Sequence, residues 1–174
     1  MIGKAPLNIA ISKSYDGSNK FDNTAFYSLT GMINGNSAPT IISGAATTVS
    51  SNAATYTSFN SNSLVLSNGN YTIVGGNVSA TINKVDAIFT ATSGNWSSNA
   101  NWSSGIAPTS SNYTNFNTIS INAGKNVTYD AAAGAFTSAI INNGVITFAP
   151  GAGISFNIAN AISGSGSIVP VSYT

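Results

Sequence analysis

Apolar and polar residues alternate one by one along much of the chain. In residues 7–15 the apolar side chains of Leu7, Ile9 and Ile11 stand at every second position. A period of two places these side chains on one face of a β-strand, so the pattern predicts a strand that buries that face. The same alternation recurs at 78–82, 119–121, 127–129, 146–148 and 154–158.

These alternating faces define a predicted core for the first half of the chain. We expect the following side chains to be mainly buried there: Leu7, Ile9, Ile11, Tyr15, Tyr71, Ile73, Val78, Ala80 and Ile82. A slip of one residue in the first strand would instead bury Asn8, Ala10 and Ser12, so the burial of these side chains tests the register.

Dipeptides typical of tight turns separate the alternating stretches. Asp16-Gly17 is one, and Asn-Gly occurs at 34–35, 68–69 and 143–144. Such pairs tolerate the positive φ that tight turns require. No segment shows sustained helical spacing with a cap. The sequence therefore predicts an all-β fold, in which Asp16 and Gly17 form a structural turn.

The chain changes character near residue 85. Strands of mixed length with long polar connections come first, and a Trp-bearing loop at 93–112 and short apolar segments follow. Short strands at regular spacing are typical of a sandwich, a barrel or a solenoid. We predict a β-sandwich-like (Ig-like) domain over residues 1–84 and a short β-solenoid or second β domain over residues 85–174.

The composition limits the chemistry. The chain has no Arg, Glu, Gln, His or Cys, and its charged residues are five Lys and four Asp, for a net charge of +1. Most enzymes depend on a proton shuttle, a thiolate, a bound metal or paired carboxylates, and the amino acids that usually supply these groups are mostly missing here. We therefore expect no enzyme activity, cofactor or metal. Without Arg or a basic patch, we expect no nucleic-acid partner. No apolar run is long enough to predict a membrane span.

Three segments of the first half carry a resemblance to a known family: KSYDGS at 13–18, NYTI at 70–73 and VSATINK at 78–84. Together they resemble the YDG-type repeat domain, which occurs in tandem in very large bacterial surface and secreted proteins of the filamentous-haemagglutinin and adhesin kind. The resemblance covers about residues 5–84. In such arrays the last strand of one repeat runs into the next, so Ile2, Gly3 and Lys4 look like the tail of a preceding repeat.

The second half is similar to segments of bacterial autotransporter-like and haemagglutinin-like proteins. The motif that carries this likeness is the Trp-x5-Trp…Pro loop at 94–108, which precedes β-helical rungs in those proteins, and residues 119–169 look like two or three rungs. The resemblance implies secretion to the bacterial cell surface or beyond, and a stalk or adhesive role.

Trp96 and Trp102, with their neighbours Asn95 and Asn101, are the candidate ligand contacts. Exposed indoles beside amides would suit stacking against a sugar, which gives the alternative function of a carbohydrate-binding module. The other interpretation is that both indoles cover an open end of the β core, where their apolar area is buried and each N–H finds a carbonyl.

Further candidates are the carboxylates and Lys13. Asp16 and Asp22 could hold calcium with nearby carbonyls, although the spacing of a dedicated calcium loop is absent. A hydrolase would need two of the four scattered Asp residues to meet in a cleft. Lys13 could form an isopeptide bond with an Asn, or simply lie along the sheet with its ammonium in solvent.

The function that these observations favour is a non-enzymatic structural module of a secreted or cell-surface bacterial protein, either an adhesin stalk or a fibre subunit. Its partners would be adjacent repeats of a longer chain or further copies joined end to end, and glycans if the indoles are exposed. Ile2, Gly3 and Lys4 at one end, and Val169 and Val171 at the other, are the residues we expect in such contacts.

Overall fold

A computed structural model describes residues 3–33, 36–130, 139–149 and 162–171. In these ranges the regular structure consists of β-strands and two short 3-10 turns, which confirms the predicted all-β fold class. The chain divides into two compact units, Met1–Asn83 and Lys84–Thr174.

Eleven strands form the regular structure described in the first unit. They are β1 (Ala5–Pro6), β2 (Asn8–Ser14), β3 (Lys20–Asp22), β4 (Phe26–Thr30), β5 (Ile41–Ser43), β6 (Ala45–Thr47), β7 (Thr55–Tyr56), β8 (Ser61–Asn62), β9 (Val65–Leu66), β10 (Tyr71–Thr72) and β11 (Val78–Asn83).

The largest sheet of the first unit has the strand order β4-β2-β11-β7. Its two central strands, β2 and β11, run parallel, although they come from opposite ends of the unit's sequence. Strand β4 lies antiparallel to β2, and β7 lies antiparallel to β11. A separate antiparallel sheet has the order β3-β6-β8, and two small sheets pair β1 with β10 and β5 with β9. The result is a sandwich-like arrangement of several sheets.

The core of the first unit follows the predicted register. Eight of the nine predicted core side chains are buried, and the ninth, Val78, is half-buried. Asn8 and Ala10, which the alternative register would bury, are exposed. Phe21 of β3 and Ala46 of β6 add buried side chains from the antiparallel three-stranded sheet.

The second unit has eight strands and the two 3-10 turns in its described residues. They are β12 (Val85–Ile88), β13 (Ser93–Asn95), the turns Asn99–Asn101 and Tyr113–Asn115, β14 (Phe116–Ile121), β15 (Asn126–Tyr129), β16 (Ile140–Asn142), β17 (Val145–Phe148), β18 (Ile162–Ser163) and β19 (Ser167–Pro170).

Successive strands of the second unit alternate between two parallel sheets, ordered β12-β14-β16-β18 and β13-β15-β17-β19. Each consecutive pair of strands is therefore one rung, and the chain coils through four rungs as a β-solenoid. The sequence indicated two or three rungs over 119–169. It missed the first rung, β12 and β13, because Ser93-Gly94-Asn95 lacks the alternation that marks a strand.

The corners between the two sheets need glycine. A side chain at Gly144 would overlap the backbone carbonyls of Lys125 and Asn122 on the rung below, and one at Gly164 would overlap the carbonyl of Asn142. Gly164 also has a φ of +106°, a conformation that other residues adopt only with strain. The stacked corners lie so close together that only a hydrogen atom fits between them.

Two sequence predictions fall outside the described residues. These are the strand expected at 154–158 and the Asn-Gly turn at 34–35.

Candidate functional site: the tryptophan loop

The loop between β13 and β14 covers the edge of the first rung. Phe89 and Trp102 form an antiparallel bridge. Beside it, the N–H of Thr90 donates to the carbonyl of Asn101 and the N–H of Ser103 donates to the carbonyl of Ile88, both at 2.8 Å. Because β12 is the outermost strand of its sheet, these bonds satisfy backbone groups that an open edge would leave exposed.

Both indoles of the loop point inward. Trp96 is 0% exposed and Trp102 is 3% exposed. The Nε1 of Trp96 donates to the carbonyl of Pro108 at 2.6 Å, and the Nε1 of Trp102 donates to the carbonyl of Trp96 at 2.8 Å. No indole face is open to a sugar, which corrects the interpretation of Trp96 and Trp102 as ligand contacts. Their large apolar area closes the solenoid core instead.

The indoles begin a stack of aromatic rings that continues through the solenoid. Trp102 contacts Phe89 edge-on at a centroid distance of 5.4 Å and Trp96 at 4.7 Å. Trp96 contacts Tyr129 at 4.9 Å, and Tyr129 contacts Phe148 at 5.4 Å. Tyr129 and Phe148 are register partners on β15 and β17, so the stack follows the solenoid from rung to rung.

The asparagines beside the indoles serve the loop's own backbone. The Nδ2 of Asn101 donates to the carbonyl of Asn95 at 2.9 Å, and Asn95 is itself exposed. Asn99 Oδ1 accepts the N–H of Ala107 at 2.8 Å. Amide side chains of the loop are thus paired with its own backbone. Asn95 and Asn101 are therefore not presented beside an exposed ring as a sugar site would require.

Asp130 anchors the loop to the second rung. Its carboxylate accepts the N–H of Ser97 at 2.9 Å and the Oγ–H of Ser97 at 2.7 Å. The neighbouring Tyr129 is buried, and this burial, with a smaller contribution from the negative charge of Asp130, raises the pKa of its phenol above 10.0. Sequence reasoning missed this anchor because Ser97 and Asp130 are remote along the chain.

The other carboxylates also have local partners. Asp16 accepts the N–H of Ser18 at 2.9 Å beside Gly17, whose φ is +77°, so the Asp16-Gly17 pair forms a turn. The hydroxyl and N–H of Thr24 bond to Asp22 and lower the pKa of its carboxyl below 3.8. Asp86 accepts the hydroxyl of Thr118.

The described residues form neither a metal site nor an arrangement in which Lys13 is directed at an Asn side chain. The described residues contain no group of three His, Cys, Asp or Glu side chains that could hold a metal ion. Lys13 Nζ donates to Asp16 Oδ1 at 2.6 Å and to the carbonyl of Lys20 at 3.0 Å. It lies 5.7 Å from the centre of the Phe21 ring. This ammonium is thus held by a carboxylate and a carbonyl, and the nearby amide of Asn83 bonds instead to the carbonyl of Lys13.

A cavity of about 480 Å³ in the first unit is lined by Lys4, Ile33, Asn36 and Tyr71, among others. The Tyr71 hydroxyl accepts the amide of Asn36 at 2.7 Å and the N–H of Ile33 at 3.2 Å. Three of the polar groups at this cavity therefore bond to one another, and the described residues that line it include no carboxylate.

Of the residues expected in end contacts, those that the structure describes lie on the surface. Gly3 and Lys4 are exposed and belong to no strand, and Ile2 is outside the described residues. Val169 on β19 and Val171 just beyond it are 42% and 39% exposed. Both are on the last described rung.

Comparison with known proteins adds no relative: no protein-family model, no curated protein and no solved structure matches this chain. The likeness to the YDG-type repeat and to β-helical passengers remains a prediction from the motifs. Among the residues that the structure describes, none form a helix with the length and apolarity that crossing a membrane requires.

Proposed function

We propose that this chain is a non-enzymatic structural module of a secreted or cell-surface bacterial protein, acting as an adhesin stalk or as a subunit of an extracellular fibre. One observation carries the proposal. The side chains best suited to bind a ligand or to act as catalysts are the two indoles and the four carboxylates. All six form hydrogen bonds with other residues of this chain.

The energetics of the second unit support a load-carrying role. In a solenoid each rung buries its apolar side chains only against its neighbours, so stability grows with the stack. Ile119, Ile121, Val127 and Ile146 are each at most 1% exposed. With 5% charged residues, the surface also carries little repulsion against a neighbouring repeat or a further copy.

The proposed partners are adjacent repeats of a longer chain or further copies of this one. The apolar side chains on the last described rung support this role, because Ile168, Val169 and Val171 are each partly exposed. Ser167 donates its N–H to the carbonyl of Gly144 and Val171 donates its N–H to the carbonyl of Phe148, so the alternation of a strand directs the backbone groups of Ile168 and Pro170 towards the free edge. Pro170 has no N–H, which blunts this edge and favours apolar contact over extension by strand pairing.

A display experiment tests the stalk function. One or two tandem copies of the chain would be inserted between a cell-surface anchor and a fluorescent tip, with a Gly/Ser linker of equal length as the matched control. A folded stalk holds its tip at a height that increases with each copy, whereas a flexible coil extends only with the square root of its length. Energy transfer between a lipid dye and the tip reports the height. Tips no higher than those of the Gly/Ser control would contradict the proposal.

A further inference from the structure

The two strands at the centre of the first unit come from its opposite ends. Strand β2 begins at Asn8, near the start of the chain, and β11 ends at Asn83, where the second unit begins. They pair in parallel over six residue pairs, from Ile9 with Val78 to Ser14 with Asn83, without a shift in register. Tension along the chain therefore enters the unit through the short strand β1, which pairs with β10, then passes through β2, and it leaves the unit through β11.

Parallel pairing determines how that tension acts. The start of β2 and the end of β11 lie at opposite ends of the ladder, so pulling them apart slides the strands along each other. Sliding loads all the hydrogen bonds of a ladder together, whereas pulling both strands from one end opens the bonds one after another. Each bond has a modest net value, so the number that must break at once determines the resistance.

The ladder is closed at both ends by further hydrogen bonds. At one end Ile9 donates its N–H to the carbonyl of Asn77 at 2.9 Å, and the N–H of Asn77 donates to Asn8 Oδ1 at 2.8 Å. At the other end Tyr15 donates its N–H to the carbonyl of Asn83 at 2.8 Å. Six central pairs thus lie between terminal bonds that must also break before the strands can slide.

Water reaches the ladder from its outer face but not from its core face. Strand β4 covers the outer edge of β2, and the two-residue strand β7 covers part of the outer edge of β11. On the core face Ile11 and Ile82 are each 2% exposed and Ala80 is 0% exposed. From this side, water that would replace a stretched backbone hydrogen bond must first displace the apolar layer.

We propose that the parallel β2–β11 pair is a mechanical clamp, which lets the first unit stay folded while the chain carries tension. The function assigned to the clamp rests on the proposed stalk, but the mechanical property belongs to this unit alone. Forced unfolding is governed by the rate of unfolding, so a ladder that breaks all at once raises the resistance without requiring a large free energy of unfolding.

Single-molecule pulling on the full chain tests the clamp. The chain has no Cys, so pairs of introduced cysteines define the pulling points without interference. Lys4→Cys with Lys84→Cys loads β2 and β11 in shear. Lys4→Cys with Val74→Cys first loads the two residue pairs of β1 and β10 and then pulls β2 and β11 from the same end. All three positions are exposed and lie outside both strands, and circular dichroism and chemical denaturation would establish that the two proteins have equal stability.

The clamp predicts that the 4–84 pair unfolds at a force at least about twofold higher than the 4–74 pair, since six residue pairs break together in the first case, whereas two pairs break together and the rest open in sequence in the second. Equal forces, or a weaker 4–84 pair, would overturn the clamp and leave the stalk proposal standing. A stalk that fails the display experiment while this force ratio holds would instead remove the function and keep the mechanical property.

Discussion

The indole N–H of Trp102 donates a 2.8 Å hydrogen bond to the backbone carbonyl of Trp96, so two residues whose rings are in contact are also joined by a hydrogen bond. Trp96 in turn donates to Pro108, near the far end of the same loop. The loop is therefore closed by its own side chains over the first rung. Removing either ring would leave a cavity and remove a hydrogen bond to a backbone carbonyl, which makes the loop a good place to measure the stability of the solenoid.

Substituting Trp96 by Ala should destabilise the second unit by about 3–5 kcal/mol, the usual range for truncating a buried large aromatic side chain. Phe26, on β4 of the first unit, provides the control for truncation of an exposed aromatic ring. Its ring is 81% exposed, so Phe26→Ala should change stability by no more than about 0.5 kcal/mol. Urea denaturation followed by circular dichroism measures both. A loss below about 1 kcal/mol for Trp96→Ala would mean that the ring does not pack as the structure shows.

The emission of the unmodified protein gives a second test of the buried indoles. Both tryptophans of the chain are in the second unit, so fluorescence reports on that unit alone. Because Trp96 and Trp102 are almost fully buried, we expect blue-shifted emission and weak quenching by acrylamide in the folded state. Titration with glycans should leave the emission unchanged. A saturable change with a glycan would restore the carbohydrate-binding interpretation.

Two glycines at the corners of the solenoid allow the cost of backbone strain and the cost of steric overlap to be measured separately. At Gly124, where φ is +77° and a side chain would meet nothing within 4 Å, substitution by Ala should cost only the left-handed backbone penalty of about 1–2 kcal/mol. At Gly144 a side chain would overlap two backbone carbonyls of the adjacent rung, so Gly144→Ala should cost more than about 3 kcal/mol. Urea denaturation followed by Trp fluorescence compares them. Equal losses would contradict the close stacking of the corners.

The core residues of the first unit could be predicted from the sequence because apolar and polar residues alternate along its strands. Leu7, Ile9 and Ile11 repeat with period two, and this pattern fixes the register without knowledge of the partner strands. The pairing of the strands with one another could not be predicted. Nothing in the local sequence places residues 78–83 beside 9–14, since parallel pairing depends on contacts remote in sequence.

The candidate site shows the same limit. Trp96 and Trp102 were recognised as important from their isolation in a polar loop, and burial was one of the two interpretations considered. Deciding between them required knowing that Tyr129 lies beneath Trp96, which depends on how the rungs stack. Likewise, the bond from Ser97 to Asp130 arises only once the loop is folded over the second rung.

Ile9→Ala should destabilise the first unit by about 2–5 kcal/mol, because the side chain is 2% exposed at the centre of the largest sheet. Ile42 is the matched control in the same unit, since it is 54% exposed and its truncation should fall within about 0.5 kcal/mol of zero. Hydrogen exchange of the β2 amides, read by mass spectrometry, follows this unit separately. Protection that is equal in the two variants would contradict the assigned core.

Alkaline pH should destabilise the second unit through Tyr129. The unfolded phenol loses its proton near pH 10.0, whereas burial raises the pKa of the folded one. The contribution of Tyr129 to the free energy of unfolding is therefore fully present below pH 10.0 and is lost as the pH rises through the raised pKa. Tyr129→Phe should flatten this part of the profile, measured by urea denaturation on either side of pH 10.0. An unchanged slope would mean that another group causes the alkaline loss.

The exposed apolar side chains of the last described rung should mediate association at high protein concentration. Ile168 is 49% exposed on β19, and Pro170 removes an outward N–H from the same edge, so we expect contact through side chains. Light scattering over a concentration series should show a rising mass. Ile168→Lys should suppress the rise, because bringing two such ends together would bury a charge. Val49→Lys, at a position 79% exposed in the first unit, should not suppress it.

Removal of residues 1–4 tests whether Gly3 and Lys4 contribute to the association. A constant monomer mass in the unmodified protein would limit this surface to contacts within a longer chain, where the next repeat would cover it.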